Sequence, residues 1–217
     1  MTLTGRTIVV TGAAGALGKA VVGGVLAAGG RVVAVDIHEA GLASLAGPGV
    51  EVRKVDLLDG DGAIASLADV DADGIAAIAG GFGMGPGAHE LDDVWDRMMA
   101  LNVATLRHTL AALVPRLGGR GAVVTIGARN GLTGPGAMSA YSAAKSAVHR
   151  ITESLAAEGV RANAVLPAII DTAANRAAMP DADHASWTTP DALAALIVFL
   201  LSDDSRAVRG ALIPAYG

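Results

Sequence analysis

Tyr141 and Lys145 stand four apart in the helix-patterned run 139–158, a spacing suited to proton transfer. Residues four apart share a helix face, so this phenol and ammonium reach the same side. A free phenol titrates near ~10, and lowering that by about 3 units asks roughly 4 kcal/mol of a nearby cation and its surroundings. Tyr141 would then give a proton to a carbonyl oxygen or take one from an alcohol. Taken alone, the pair reads equally well as a surface tyrosine with an incidental lysine.

A second group lies near the N-terminus. Thr11-Gly12-Ala13-Ala14-Gly15-Ala16-Leu17-Gly18 follows a β-branched run and opens a helix. Gly12 would allow the tight turn, Gly15 a close approach of backbone to a pyrophosphate, and Gly18 close packing of helix on strand. Glycine spacing alone is weak in a chain with 29 Gly. Asp36 adds to it by ending the next strand, where a carboxylate can accept from a ribose 2′-hydroxyl. The same carboxylate repels a 2′-phosphate, and Ala14, Leu17 and Ile37 offer no cation against that. NAD(H) is therefore expected over NADP(H), unless Asp36 is only a helix cap.

These residues need a scaffold that gathers strand ends. Strands are expected near 6–11, 31–36, 50–55, 74–78, 121–126, 160–166 and 210–214, and helices near 16–28, 39–46, 60–68, 91–115, 139–158 and 190–201. Runs such as Arg31-Val32-Val33-Ala34-Val35 suit strands covered on both faces. The expected fold is α/β: one doubly wound Rossmann-type domain over 1–217, a seven-stranded parallel sheet with helices on both faces. The Gly-rich segment 80–87 falls at a strand end and is expected to be a mobile loop beside a ligand crevice, not a linker.

Composition removes other classes. Two each of Trp, Phe and Tyr leave few rings for stacking on bases, and a formal charge of −5 gives no basic footprint, so nucleic acid is not expected. Zero Cys removes disulfides, thiol nucleophiles and Cys-ligated metals. His38, His89, His108, His149 and His184 show no paired metal spacing, so no metal is expected. Apolar runs stop well short of ~18 residues, which argues against a membrane span. No leader pattern opens the chain, and cytoplasm is the expected location.

From Arg6 almost to Gly217 the motifs resemble those of the short-chain dehydrogenases/reductases. Residues 11–18 match the family's Thr-Gly-x-x-x-Gly-x-Gly, and Tyr141 to Lys145 its Tyr-x-x-x-Lys. Asp56-Leu57 matches its Asp after the third strand, and Asn102 the Asn of its catalytic tetrad. Ala77-Ile78-Ala79-Gly80 resembles its Asn-Asn-Ala-Gly, while Pro167, Ile170 and Thr172 fall in its segment beside the nicotinamide. The resemblance implies cofactor contacts from Gly12, Ala14, Gly15, Leu17, Gly18, Asp36, Ile37, Asp56, Leu57, Ala79, Gly80, Tyr141, Lys145, Pro167, Ile170 and Thr172. It implies catalysis by Tyr141, with Lys145 tuning it and joining a proton relay through Asn102. An NAD(H)-dependent oxidoreductase interconverting a secondary alcohol and a ketone follows. The substrate would be a small apolar molecule, with Phe82, Met84, Met138, Ile169 and Trp187 available as a pocket. Helices 91–115 and 139–158 would build a homodimer or homotetramer.

One position departs from the pattern. Where the family usually carries a serine that donates to the reacting oxygen, this chain has Ala128. Losing one such donor costs ~2.7–4 kcal/mol, or about 10²–10³ in rate. Ser139, Asn130 and Arg129 are the nearby substitutes. Thr125 is a poor one, because its side chain belongs to the opposite sheet face. Two other functions stay open on this account: an NAD-binding sensor or non-catalytic partner, and a non-redox elimination or isomerisation enzyme using Tyr141. The segment from Ala168 to Pro190 is short for a substrate lid, which suggests an open or partner-completed pocket.

Overall fold

Strands β1 (Thr7–Thr11) and β2 (Arg31–Asp36) are buried along nearly their whole length, as β-branched runs are when helices cover both sheet faces. The computed structural model describes residues 1–216, the side chain of Arg120 excepted; Gly217, the end of the expected domain, lies outside the described residues. With β3 (Val50–Lys54), β4 (Ala72–Ala77), β5 (Leu117–Ile126), β6 (Arg161–Pro167) and β7 (Leu212–Ala215), they form a seven-stranded sheet ordered β3-β2-β1-β4-β5-β6-β7. Every pairing is parallel. The order reverses between β1 and β4, and such a reversal opens a crevice at the carboxyl ends of the strands.

Alternation along β1 divides the core. Ile8 and Val10 face α1 (Ala16–Ala27) and α8 (Pro190–Leu201), packing with Val21, Val25, Ile197 and Leu201. Val9 faces the other side, with Ile75, Leu113, Val123 and Val148 beneath α3 (Gly60–Ser66), α5 (Thr105–Leu113) and α6 (Ser139–Ala157). The short α2 (Glu39–Ala43) follows β2. Among the described residues no helix is long and apolar enough to cross a membrane.

Three elements differ from the sequence expectation. The helix expected over 91–115 is α4 (Val94–Met99), a π-helical turn at Ala100–Ala104, α5, and a 3-10 turn at Val114–Arg116. Its start shifts because the Asp92 carboxylate accepts from the Val94 and Trp95 amides at 3.1 and 3.3 Å, and Pro115 ends it. Strand β5 begins at Leu117 rather than 121, pairing Leu117 with Ala72 across an irregularity that its glycines allow. A further helix, α7 (Ala173–Ala178), lies within the segment 168–190, its first turn capped by the Thr172 hydroxyl.

The end of α8 depends on β6. Arg161 is buried, and its guanidinium donates to the carbonyls of Leu200, Leu201 and Ser202 and to Ser205 Oγ, at 2.8–3.3 Å. The last carbonyls of a helix have no partner of their own, and a planar five-donor group can meet several at once. Arg161→Met is expected to lower stability by about 2–3 kcal/mol, a Tm drop of roughly 4–12 °C. Thermal unfolding beside the exposed control Arg150→Met checks this; equal shifts in the two variants would show that Arg6 and Ser205, which also donate to these carbonyls, satisfy them without it.

Candidate active site

At the switch point, β1 is tied to the chain leaving β4. Thr11 Oγ1 accepts from the Ile78 and Ala79 amides at 3.2 and 3.3 Å. Gly12 has φ +67°, and a Cβ there would lie 2.9 Å from Ala79 Cα. A Cβ at Gly18 would collide with the Gly12 carbonyl, so helix and turn interlock through absent side chains. Gly15 begins α1 without a side-chain cap. The amides of Ala16, Leu17 and Gly18 have no partner among the described residues, so the helix mouth keeps its donors and its positive dipole end for a ligand. This cradle fits a pyrophosphate.

Asp36, at the end of β2, is 8% exposed. Its Oδ2 accepts from the Ala14 amide at 3.0 Å, and its Oδ1 from the His38 amide and His38 Nδ1, both at 2.9 Å. Burial opposes ionisation, but the bonds from His38 and Ala14 outweigh it and hold the carboxyl below its ordinary range. Ile37 is exposed beside it. After β3, Asp56 Oδ1 accepts from the Leu58 amide at 2.8 Å. Leu57 is buried in the core and its carbonyl accepts from His108.

A second group gathers at the same end of the sheet. Asn102, in the π-helical turn, is buried; its Nδ2 donates to the Gly81 and Met98 carbonyls at 3.0 Å and its Oδ1 accepts from the Gly81 amide at 3.2 Å. A Cβ at Gly80 would lie 2.7 Å from Asn102 Oδ1 and 3.6 Å from Lys145 Nζ, so these three positions converge. Lys145 is buried on α6 and donates to the Ile126 carbonyl at 2.9 Å. Its Nζ is 5.9 Å from the Tyr141 ring centre, and Phe82 meets that ring edge-on at 5.0 Å. Burial pushes the Tyr141 phenol up to about 12 and the Lys145 ammonium down to about 8. Desolvation is what raises the phenol here.

Beyond β5 the chain turns against α6. The buried Ala128 donates its amide to Nε2 of the buried His149 at 3.3 Å. Side chains at Gly127 or Gly131 would strike this imidazole, and Ser146 Oγ donates to the Gly131 carbonyl at 2.6 Å. Burial, with the charges of Arg150 and Lys145, lowers His149 to about 4, which keeps Nε2 free to accept. Sequence reading missed His149; its signal was position, one helical turn beyond Lys145. Of the expected hydroxyl substitutes, Arg129 lies over the Tyr216 ring at 5.3 Å and Asn130 Nδ2 meets Met138 Sδ at 3.1 Å. Ser139 begins α6. The Thr125 hydroxyl pairs with Thr152 at 2.7 Å in the interior.

Phe82 (59%), Met84 (55%) and Ile169 (37%) are exposed. Trp187 instead is buried against His184 at 4.4 Å. Pro167 ends β6, Ile170 bridges to Thr188, and Thr172 caps α7. The 80–87 segment is tied at Gly81 by Asn102 and at Gly85, whose amide donates to the Ala137 carbonyl at 2.9 Å. No cluster of three or more metal-ligating residues occurs among the described residues.

A doubly wound parallel sheet with a glycine turn at its switch point, facing a helical Tyr–Lys pair, defines a dinucleotide-fold oxidoreductase. The family model for short chain dehydrogenases matches residues 6–183, and the chain belongs to that family. Galactitol 2-dehydrogenase of Rhizobium johnstonii is 33% identical, covering 97% of this chain and 93% of its own. L-xylulose reductase of Bos taurus is 29% identical, covering 99% and 96%. An oxidoreductase of the short chain dehydrogenase/reductase family from Burkholderia thailandensis superposes with a TM-score of 0.87 at 33% identity, covering 96% of this chain and 90% of its own.

The lowered Lys145 pKa carries a signed consequence. Between about pH 8 and 10.5 the folded chain holds this group neutral while the unfolded chain holds it charged, so unfolding takes up a proton. Stability from this group therefore rises with pH. The wild-type stability is expected to gain about 2 kcal/mol on Lys145→Met between pH 7 and 10. Urea unfolding of both at each pH measures it, and a constant difference would show an ordinary lysine.

Proposed function

We propose that the chain is an NAD(H)-dependent oxidoreductase interconverting a secondary alcohol and a ketone, with Tyr141 as the acid/base. The observation that carries this is the convergence of Gly80, Asn102 and Lys145 beside the helical Tyr141, at the same sheet end as the glycine cradle. Gly12, Gly15 and Gly18 would admit the dinucleotide, Asp36 would accept from its adenosine ribose, and its nicotinamide supplies or takes up the hydride when bound. Asp36 supports NAD(H) by placing a carboxylate where a 2′-phosphate would bring like charge.

The rest belongs to the chain's own side chains. With its pKa pushed up to about 12, Tyr141 is a phenol at neutral pH, the form that gives a proton to a carbonyl oxygen. Lys145, at about 8, is mostly an ammonium there and favours the phenolate left behind. Asn102 holds Gly81 at both its N–H and its carbonyl, and so sets Phe82 edge-on against Tyr141. Phe82, Met84 and Ile169 suit a hydrocarbon body on the ketone better than a polyol. The other cofactor-side positions act through their place at the strand ends.

Ala128 favours a second reading, a protein that binds the dinucleotide with little turnover. It has no hydroxyl to offer, its amide is committed to His149, and Arg129 and Asn130 have partners elsewhere. Tyr141→Phe is expected to cut NADH-dependent ketone reduction by ~10²–10⁴ while leaving NADH binding in place; unchanged turnover would end the Tyr141 mechanism. Ala128→Ser is expected to raise kcat by up to about 10²–10³. A wild type that binds NADH but turns over no ketone in a broad panel, with no gain in the serine variant, would establish the second reading.

A further inference from the structure

A carboxylate offers about four lone-pair sites, and three of those on Asp36 are taken within the chain. The Ala14 amide holds Oδ2 at 3.0 Å and the His38 amide holds Oδ1 at 2.9 Å, so two backbone donors orient the group. The third donor differs in kind. It is the His38 imidazole, through Nδ1 at 2.9 Å, on a side chain that is 80% exposed. One site remains on Oδ2, whereas a vicinal diol binding both oxygens needs one site on each. The imidazole therefore stands where the second ribose hydroxyl would bond.

The same contact bears on charge. Lys54, which lies opposite Asp36 in the β2–β3 register, is paired with Glu39 at 2.9 Å. Glu39 offsets part of the Lys54 charge. The N–H donated by His38 thus offsets the Asp36 carboxylate from the solvent side.

We infer that His38 sets the degree of dinucleotide selectivity, competing with the adenosine ribose for Asp36 and softening that carboxylate's repulsion of a 2′-phosphate. This rests on the reading of Asp36 as the ribose acceptor. His38 weakens NADH, aids NADPH, and so narrows the preference that Asp36 creates.

Fluorescence titration of NADH and NADPH against wild type, His38→Ala, His38→Arg and Asp36→Ala tests it. His38 is exposed, so its variants fold. In His38→Ala the ratio of Kd for NADPH to Kd for NADH is expected to widen roughly fivefold, a change the size of one net hydrogen bond. In His38→Arg the ratio narrows as NADPH tightens. In Asp36→Ala the preference for NADH collapses. An unchanged ratio in His38→Ala, with collapse in Asp36→Ala, overturns the role of His38 and leaves Asp36 as the ribose acceptor. A preference that survives in Asp36→Ala overturns the reading of Asp36, and the inference with it.

Discussion

The contact between Gly12 and Ala79 governs the geometry at the sheet's carboxyl end. The turn after β1 and the chain leaving β4 approach so closely that one Cβ at residue 12 would lie 2.9 Å from a backbone carbon. Thr11 holds the approach by accepting two amides from the β4 side. Because the sheet order reverses here, this closeness sets the floor of the crevice and aims the N-terminus of α1 into it. Bulk at Gly12 would separate the two halves of the site rather than fill a gap.

Helix α6 is the second organising element, and it acts through desolvation. Lys145, Ser146 and His149 all bond the segment 126–131, fastening the end of β5 to the helix that carries Tyr141. Burial costs charge, so Lys145 falls to about 8 and His149 to about 4. The neutral imidazole can then accept an amide that an imidazolium could not. Glycine at 127 and 131 leaves the ring its space, as glycine at 80 leaves room for Asn102. Small residues in this chain are thus read best by what fills the volume they vacate.

Much of this was legible beforehand. β-branched runs located the strands to within a few residues, except at the start of β5, where Leu117-Gly118-Gly119 reads as a turn but pairs with β4. Tyr141 and Lys145 stood out through helical spacing together with the Tyr-x-x-x-Lys pattern, and the glycine turn through its place after β1. The broken helix at 100–104 was not, because Asn102 bonds to Gly81, distant in sequence. Trp187, an apolar ring between short elements, gave no sign of its burial against His184.

The sequence by itself determined the elements, their alternation and which residue types meet at the strand ends, because periodicity and glycine spacing are local properties. It also determined that position 128 carries no hydroxyl. Only the tertiary structure decided how those residues are used. It showed Lys145 held by the Ile126 carbonyl, His149 behind Ala128, and His38 on the Asp36 carboxylate. Burial and hydrogen-bond partnership come from segments far apart in the chain, and these two quantities set the charge states of the site.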